Sequence, residues 1–139
     1  MPRIVVDTNI LFSALIKRKN KFRDVIFSGE YELYSCSYSV EELFNHKDKM
    51  LRASKLTEAE LHIEIQTIFK YIHFVEDEII SDSKLKEAYQ LCKDIDEKDT
   101  VILGLAMELD ALLWTGDKEL IKGLNEKGYA GFFFIETEK

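Results

Sequence analysis

Cysteine, proline and long apolar runs are what this chain has least of. Its two cysteines, Cys36 and Cys92, stand too far apart for a CxxC site and are too few to staple a secreted mini-protein, so reduced thiols in a cytosol are expected. Pro2 is the only proline and the six glycines are scattered, which leaves no linker, repeat or low-complexity block between Arg3 and Ile135. No stretch approaches the ~20 apolar residues of a membrane-spanning helix, and the first apolar run already ends at Asp7. The expectation is a soluble, unexported, cytoplasmic protein with no membrane contact. Basic residues are outnumbered, 19 against 26 acidic, and the resulting net charge of -7 excludes a general polyanion binder. Action on nucleic acid would need something to offset that charge. GxSxG, P-loop and GxGxxG patterns are absent too, so serine nucleophiles and nucleotide cradles have no local support.

What remains is ordinary globular material. The 139 residues suit one domain over 1–139, and 46% hydrophobic content supplies a core and excludes a disordered tail protein. Ile4-Val5-Val6 is continuous and β-branched rather than alternating, as in a strand covered on both faces. A helix follows through Ile10, Leu11, Ala14 and Leu15, then a basic turn from Lys17 to Lys21 and a short helix stopped by Gly29. Tyr31 to Cys36 reads as a strand, and Ser37 or Ser39 as the cap of a helix through Phe44. Thr57 opens a longer helix ending in an extended patch at Phe74-Val75, and Ser81 or Ser83 opens another. Asp96 to Leu109 then reads as a helix, Ala111 to Trp114 as a strand, Lys118 to Leu124 as a helix and Gly131 to Ile135 as a closing strand. Strands alternating with helices, without hairpin signals, predict a parallel α/β/α sandwich with right-handed crossovers.

The informative residues are acids at the ends of these elements. Asp7 follows the first strand, where open parallel sheets bind ligands, and Asp117 follows the Trp114 strand and would reach the same edge. Each can also cap the helix that comes next. Asp99 stands in line with the apolar positions Ile102, Leu103 and Ala106, where a lone charge is costly; an N3 position in a capping box with Asp96 is the alternative. Glu41 and Glu42 follow the second strand, and periodicity does not choose between them, while Ser39 with Glu42 also matches a capping box. Two carboxylates ~4 Å apart repel by roughly 4 kcal/mol at an effective dielectric near 20, so four cannot share a pocket ionised without a counterion. An all-oxygen set suits Mg²⁺ or Mn²⁺, whereas zinc would prefer Cys and His.

Val5-Val6-Asp7-Thr8-Asn9, Ser37 to Leu43, Asp96 to Ala106 and Thr115-Gly116-Asp117-Lys118 together resemble the PIN-domain family, and most closely its small VapC-type toxin ribonucleases. The resemblance implies a three-layer PIN-like fold with Asp7, Glu42, Asp99 and Asp117 as the catalytic, metal-binding acids, supported by Asn9 and Thr115. Asp96 belongs to an Asp-x-x-Asp pattern seen in only part of the family. It further implies a Mg²⁺- or Mn²⁺-dependent endoribonuclease acting on an RNA substrate, usually a homodimer, and inhibited by an antitoxin protein. A non-cutting RNA- or protein-binding relative is the alternative, and a phosphate-accepting receiver built on Asp7 is a further one.

Three other signals point elsewhere. The run Lys17 to Lys21 reads mainly as a solvated turn, at the far end of the first helix from Asp7. His46, four residues after Glu42, reads as a surface histidine rather than a ligand, and Phe132, Phe133 and Phe134 as buried packing rather than base-stacking rings.

Overall fold

Four strands and eight α-helices make up the computed structural model, which describes residues 1–17 and 19–135. In chain order they are β1 (Arg3–Val6), α1 (Thr8–Leu15), α2 (Lys21–Phe27), β2 (Glu32–Cys36), α3 (Ser37–Asn45), α4 (Lys47–Ser54), α5 (Glu58–Phe69), β3 (Ile72–Val75), α6 (Asp82–Cys92), α7 (Thr100–Glu108), β4 (Leu112–Trp114) and α8 (Lys118–Glu126). Short 3-10 turns lie at Asp77–Ile79 and Glu97–Asp99. Arg18, in the middle of the basic run, lies outside the described residues. Among the described residues no helix is long and apolar enough to cross a membrane.

The sheet is wholly parallel, in the order β3-β2-β1-β4. The unbroken apolar run of β1 is covered on both faces. Ile4 and Val6 point into a core shared with α1 to α5, through Leu11, Leu15, Leu43, Met50, Leu61 and Ile68. Val5 points into a second core built with α6, α7 and α8, through Ala88, Leu103, Ala106, Leu120 and Leu124. This is a three-layer α/β/α sandwich. The chain winds outward from β1 to β2 and β3 and then returns to β4 on the other side of β1. The switch in strand order therefore falls between β1 and β4, and the crevice at such a switch is where open α/β sheets place ligands.

Helix starts follow the sequence where a side chain caps them. Thr57 and Glu60 form a reciprocal capping box at α5, and Ser81 accepts from the Lys84 amide at α6. After α2, Gly29 takes the left-handed conformation (φ 72°) that only glycine adopts without strain.

Four expectations need correction. The Ser39–Glu42 box does not form, because α3 begins at Ser37 and places Ser39 inside the helix, buried with its hydroxyl 3.5 Å from the Cys36 sulfur. The helix expected from Asp96 is a 3-10 turn up to Asp99 and becomes α-helical only at Thr100. The Asp96–Asp99 box fails with it: Asp96 accepts from the Lys98 amide, and the Asp99 side chain makes no cap bond. The closing strand at Gly131–Ile135 shrinks to one parallel bridge between Leu113 and Phe132. There the Leu113 amide donates to Gly131 O at 2.8 Å and the Phe133 amide to Leu113 O at 2.9 Å, and β4 itself is only three residues long.

Candidate functional site

The lip of the sheet where β1 and β4 end is knitted together by side chains. Trp114 O accepts from the Asp7 amide at 2.9 Å, holding the two strand ends in register. Asp7 is 6% exposed; its Oδ1 accepts from the Thr8 amide at 2.7 Å, and its Oδ2 accepts from the Thr115 hydroxyl at 2.8 Å and the Asn9 side-chain amide at 3.2 Å. Asn9 also donates to Thr115 Oγ1, and its Oδ1 accepts from the Gly116 amide at 2.9 Å. Thr115 Oγ1 accepts in turn from the Asp117 amide. Asn9 and Thr115 thus orient Asp7 and tie the β1 and β4 loops into one unit.

Asp7, Asn9, Glu42 and Asp99 line a common cavity of about 320 Å³, together with Thr8, Phe12, Ser13, His46 and Lys49. Four parts of the chain meet there: the end of β1 with α1, one face of α3, the start of α4 and the 3-10 turn before α7. Glu42 is half-buried and lines the cavity, whereas Glu41 is exposed and does not. Asp117 is not part of this lining. It caps α8, with Oδ1 accepting from the Glu119 and Leu120 amides at 3.1 Å, yet its charge reaches both Asp7 and Asp99. Asp96 stays exposed on the rim, where its charge acts on Asp99. Capping and a place in the cavity are therefore compatible, since Asp7 does both, while Asp117 caps and acts on the cavity through its charge.

Burial and mutual repulsion raise two of these carboxyls far above the usual range. Asp7 is pushed up to about 6, first by burial, against the lowering effect of its bonds from Thr115 and Thr8, with Glu42 and Asp117 adding repulsion. Asp99 rises to about 7, again first by burial and then by repulsion from Asp7, Asp96, Asp117 and Glu42. Asp99 Oδ2 is buried with no hydrogen-bond partner. A buried carboxylate oxygen without a donor is costly unless a proton or a cation meets it.

The donor set on this lip is all oxygen, which suits a hard divalent cation. Among the described residues, no three His, Cys, Asp or Glu side chains stand close enough to enclose a metal ion directly. A cation that keeps several waters and takes only one or two carboxylates, as Mg²⁺ commonly does, fits such a spread.

Three lip residues were not singled out by sequence reasoning or were set aside. His46 is exposed, as expected, but lines the acidic cavity from the joint between α3 and α4. Lys49 lines it from α4, its ammonium 5.4 Å from the centre of the Phe12 ring. Tyr38 lies where Glu42, Asp99, Asp96 and Glu41 all act on it, and its phenol is raised above its ordinary value, first by burial and then by these acids. The four-residue step from Glu42 to His46 was a signal for the first; no pattern pointed to the other two.

The fold and lip define a parallel α/β domain whose ligand crevice is edged by acids. The PIN-domain family model matches residues 5–130, and the chain belongs to that family. Its fold is similar to that of PAE2754 from Pyrobaculum aerophilum, with a TM-score of 0.63 at 18% identity, covering 88% of this chain and 79% of that one. It is similar also to VapBC2 from Rickettsia felis, solved bound to a DNA fragment from their promoter, with a TM-score of 0.62 at 16% identity and coverage of 94% and 95%. No curated protein matches the chain at a significant level.

Proposed function

We propose that this chain is a single-domain, cytoplasmic endoribonuclease that hydrolyses RNA phosphodiester bonds with Mg²⁺ or Mn²⁺, acting as the toxin of a toxin–antitoxin pair. The observation that carries the nuclease reading is the donorless buried Asp99 Oδ2 beside Asp7 and Glu42 in one cavity, an arrangement that favours a cation. Membership of the PIN-domain family supports nuclease chemistry, since PIN domains are in general nucleases. The likeness to VapBC2 supports the antitoxin partner, and a homodimer belongs to the same proposal.

In this reading one or two of Asp7, Glu42 and Asp99 would hold the ion directly and the rest through its waters, while Asp117 adds negative charge from across the lip. When bound, the ion supplies water activation and neutralises charge developing on the phosphoryl oxygens. The chain's own residues orient the acids. Thr115 and Asn9 fix the Asp7 carboxylate, and the short 3-10 turn aims Asp99 into the cavity instead of spending it on a cap. His46 and Lys49 place positive or protonatable groups on the same wall, suited to the leaving side of the phosphate.

The test is cleavage of a panel of folded and unfolded RNAs with Mg²⁺ or Mn²⁺, against EDTA and against Asp7→Asn and Asp99→Asn. Cation-dependent cleavage lost in both variants is expected; full activity in either purified variant overturns the assignment. A non-cutting binding module is the second reading, favoured by the spread of the acids, no three of which converge on one point. Retention of RNA without cutting under every divalent ion would establish it.

A further inference from the structure

The acidic cavity has a larger neighbour of opposite character. Thr115 and Gly116, which fasten Asp7 and Asn9, also line a recess of about 740 Å³. Its volume falls within the ~300–1,000 Å³ range of ligand sites. One wall is a face of α8: Lys118, Lys122 and Glu126 follow at four-residue steps and look into the recess, while Leu120 and Leu124 turn into the core. Ile121, Asn125, Phe134 and Lys21 complete the lining. Lys118 and Lys122 against Glu126 give the α8 wall of this recess a positive balance within a chain of net charge -7. Among the described residues, neither Lys118 nor Lys122 takes part in an ion pair. Both are exposed, and Phe134 is half-buried, leaving part of its ring open to the recess.

We propose that this recess holds the nucleotide of a single RNA strand next to the bond being cut, with Lys118 and Lys122 on its phosphates and Phe134 against a base. The inference rests on the nuclease reading above and supplies what that reading lacks. An acidic lip repels the backbone it must act on, and a positive anchor sharing the Thr115–Gly116 turn offsets this at the correct edge of the sheet. A flat ring beside two cations is the combination by which proteins hold unpaired strands without reading sequence. Double-stranded RNA, whose bases are stacked away, gains little from Phe134.

The experiment uses the full chain carrying Asp7→Asn, with EDTA, and a fluorescently labelled single-stranded RNA 20-mer of mixed sequence, its affinity followed by anisotropy over a range of KCl concentrations. Two phosphate contacts on a single strand predict that Lys118→Ala with Lys122→Ala lowers the log–log salt slope by about 1.4. The Lys118→Arg, Lys122→Arg chain should keep the parent slope. Phe134→Ala should weaken binding about tenfold with the slope unchanged, as loss of one stacked base would. Thermal unfolding of each variant controls for folding. An unchanged slope in the double alanine chain, with RNA still bound, overturns the recess and leaves the nuclease reading standing. A parent chain that holds no RNA at any salt overturns both. Displacement of the RNA by poly-glutamate at lower charge concentration than by poly-uridylate overturns the proposal in favour of an acidic protein segment.

Discussion

The Thr115 hydroxyl donates to Asp7 Oδ2 at 2.8 Å, a buried bond that joins residues 108 positions apart where β4 and β1 end side by side. It opposes the burial that raises the Asp7 carboxyl, and it acts only on the ionised form to full effect. Thr115→Val keeps the shape and removes the donor. Asp7 is then expected to rise further above about 6, so the acid limb of the activity–pH profile moves to higher pH. Urea unfolding should show a loss of about 1–2 kcal/mol at pH 8 and less at pH 5, where Asp7 is largely protonated.

Asp99 and Asp7 are expected to part company on stability although both abolish cleavage. Asp99→Asn removes a repelled carboxylate whose Oδ2 has no donor, so the purified variant is expected to be more stable than the parent at pH 8 without divalent ions, by about 1 kcal/mol. Asp7→Asn relieves repulsion too, but its amide nitrogen would face the donors of Asn9 or Thr115. Its net gain is expected to be near zero. Urea midpoints of the three chains, measured side by side in EDTA, check the order.

The raised carboxyls set the pH dependence of the metal-free chain. Asp7 near 6 and Asp99 near 7 lie above the 3.8 of an unperturbed aspartate, so between about pH 4 and 7 the folded chain holds protons that the unfolded chain has released. The unfolded state then binds fewer protons, and stability falls as pH rises through that window, levelling above pH 7. The opposite slope would be expected of salt-bridged acids. Chemical unfolding between pH 4.5 and 8.5 is expected to show this fall, to be flattened in Asp99→Asn, and to be offset by millimolar Mg²⁺ at pH 8 through preferential binding to the folded chain.

How far the sequence led can be read from single residues. The covered strand Ile4-Val5-Val6 and the buried positions Ile102, Leu103 and Ala106 were legible because uninterrupted or helically spaced apolar residues leave few alternatives. Asp7 and Asp117 were legible through their place after strands, and both reach the β1–β4 edge; Asp99 was singled out by its line with Ile102, Leu103 and Ala106. Helix α4 was not, because Lys47 to Ser54 buries only Met50 and shows no apolar stripe. Lys49 and the positive recess were hidden for a related reason: exposed lysines carry no periodicity, and only tertiary structure brings Lys118, Lys122 and Phe134 together. The capping readings of Ser39–Glu42 and Asp96–Asp99 failed because a box pattern does not reveal whether its carboxylate has a better place to be.

The wall of helices over the first core depends on a charge pair that the sequence did not reveal. Arg23 on α2 donates to Glu64 on α5 at 2.9 Å and to Lys17 O at 3.0 Å, with only 6% of Arg23 exposed. It therefore fastens the loop after α1, on which the basic run lies, to the outer helices, away from the acidic cavity. Removing one partner leaves the other charge buried. Glu64→Ala is expected to cost about 3 kcal/mol in urea unfolding, whereas replacing both with Leu should cost less than the single change, because an apolar pair avoids the desolvation of both ions. Urea unfolding of the two variants measures this directly: a Glu64→Ala cost below about 1 kcal/mol would mean the pair is held by solvent rather than by α2 and α5. Cleavage by the double variant is expected to match the parent, since neither residue reaches the lip where Asp7 and Thr115 meet.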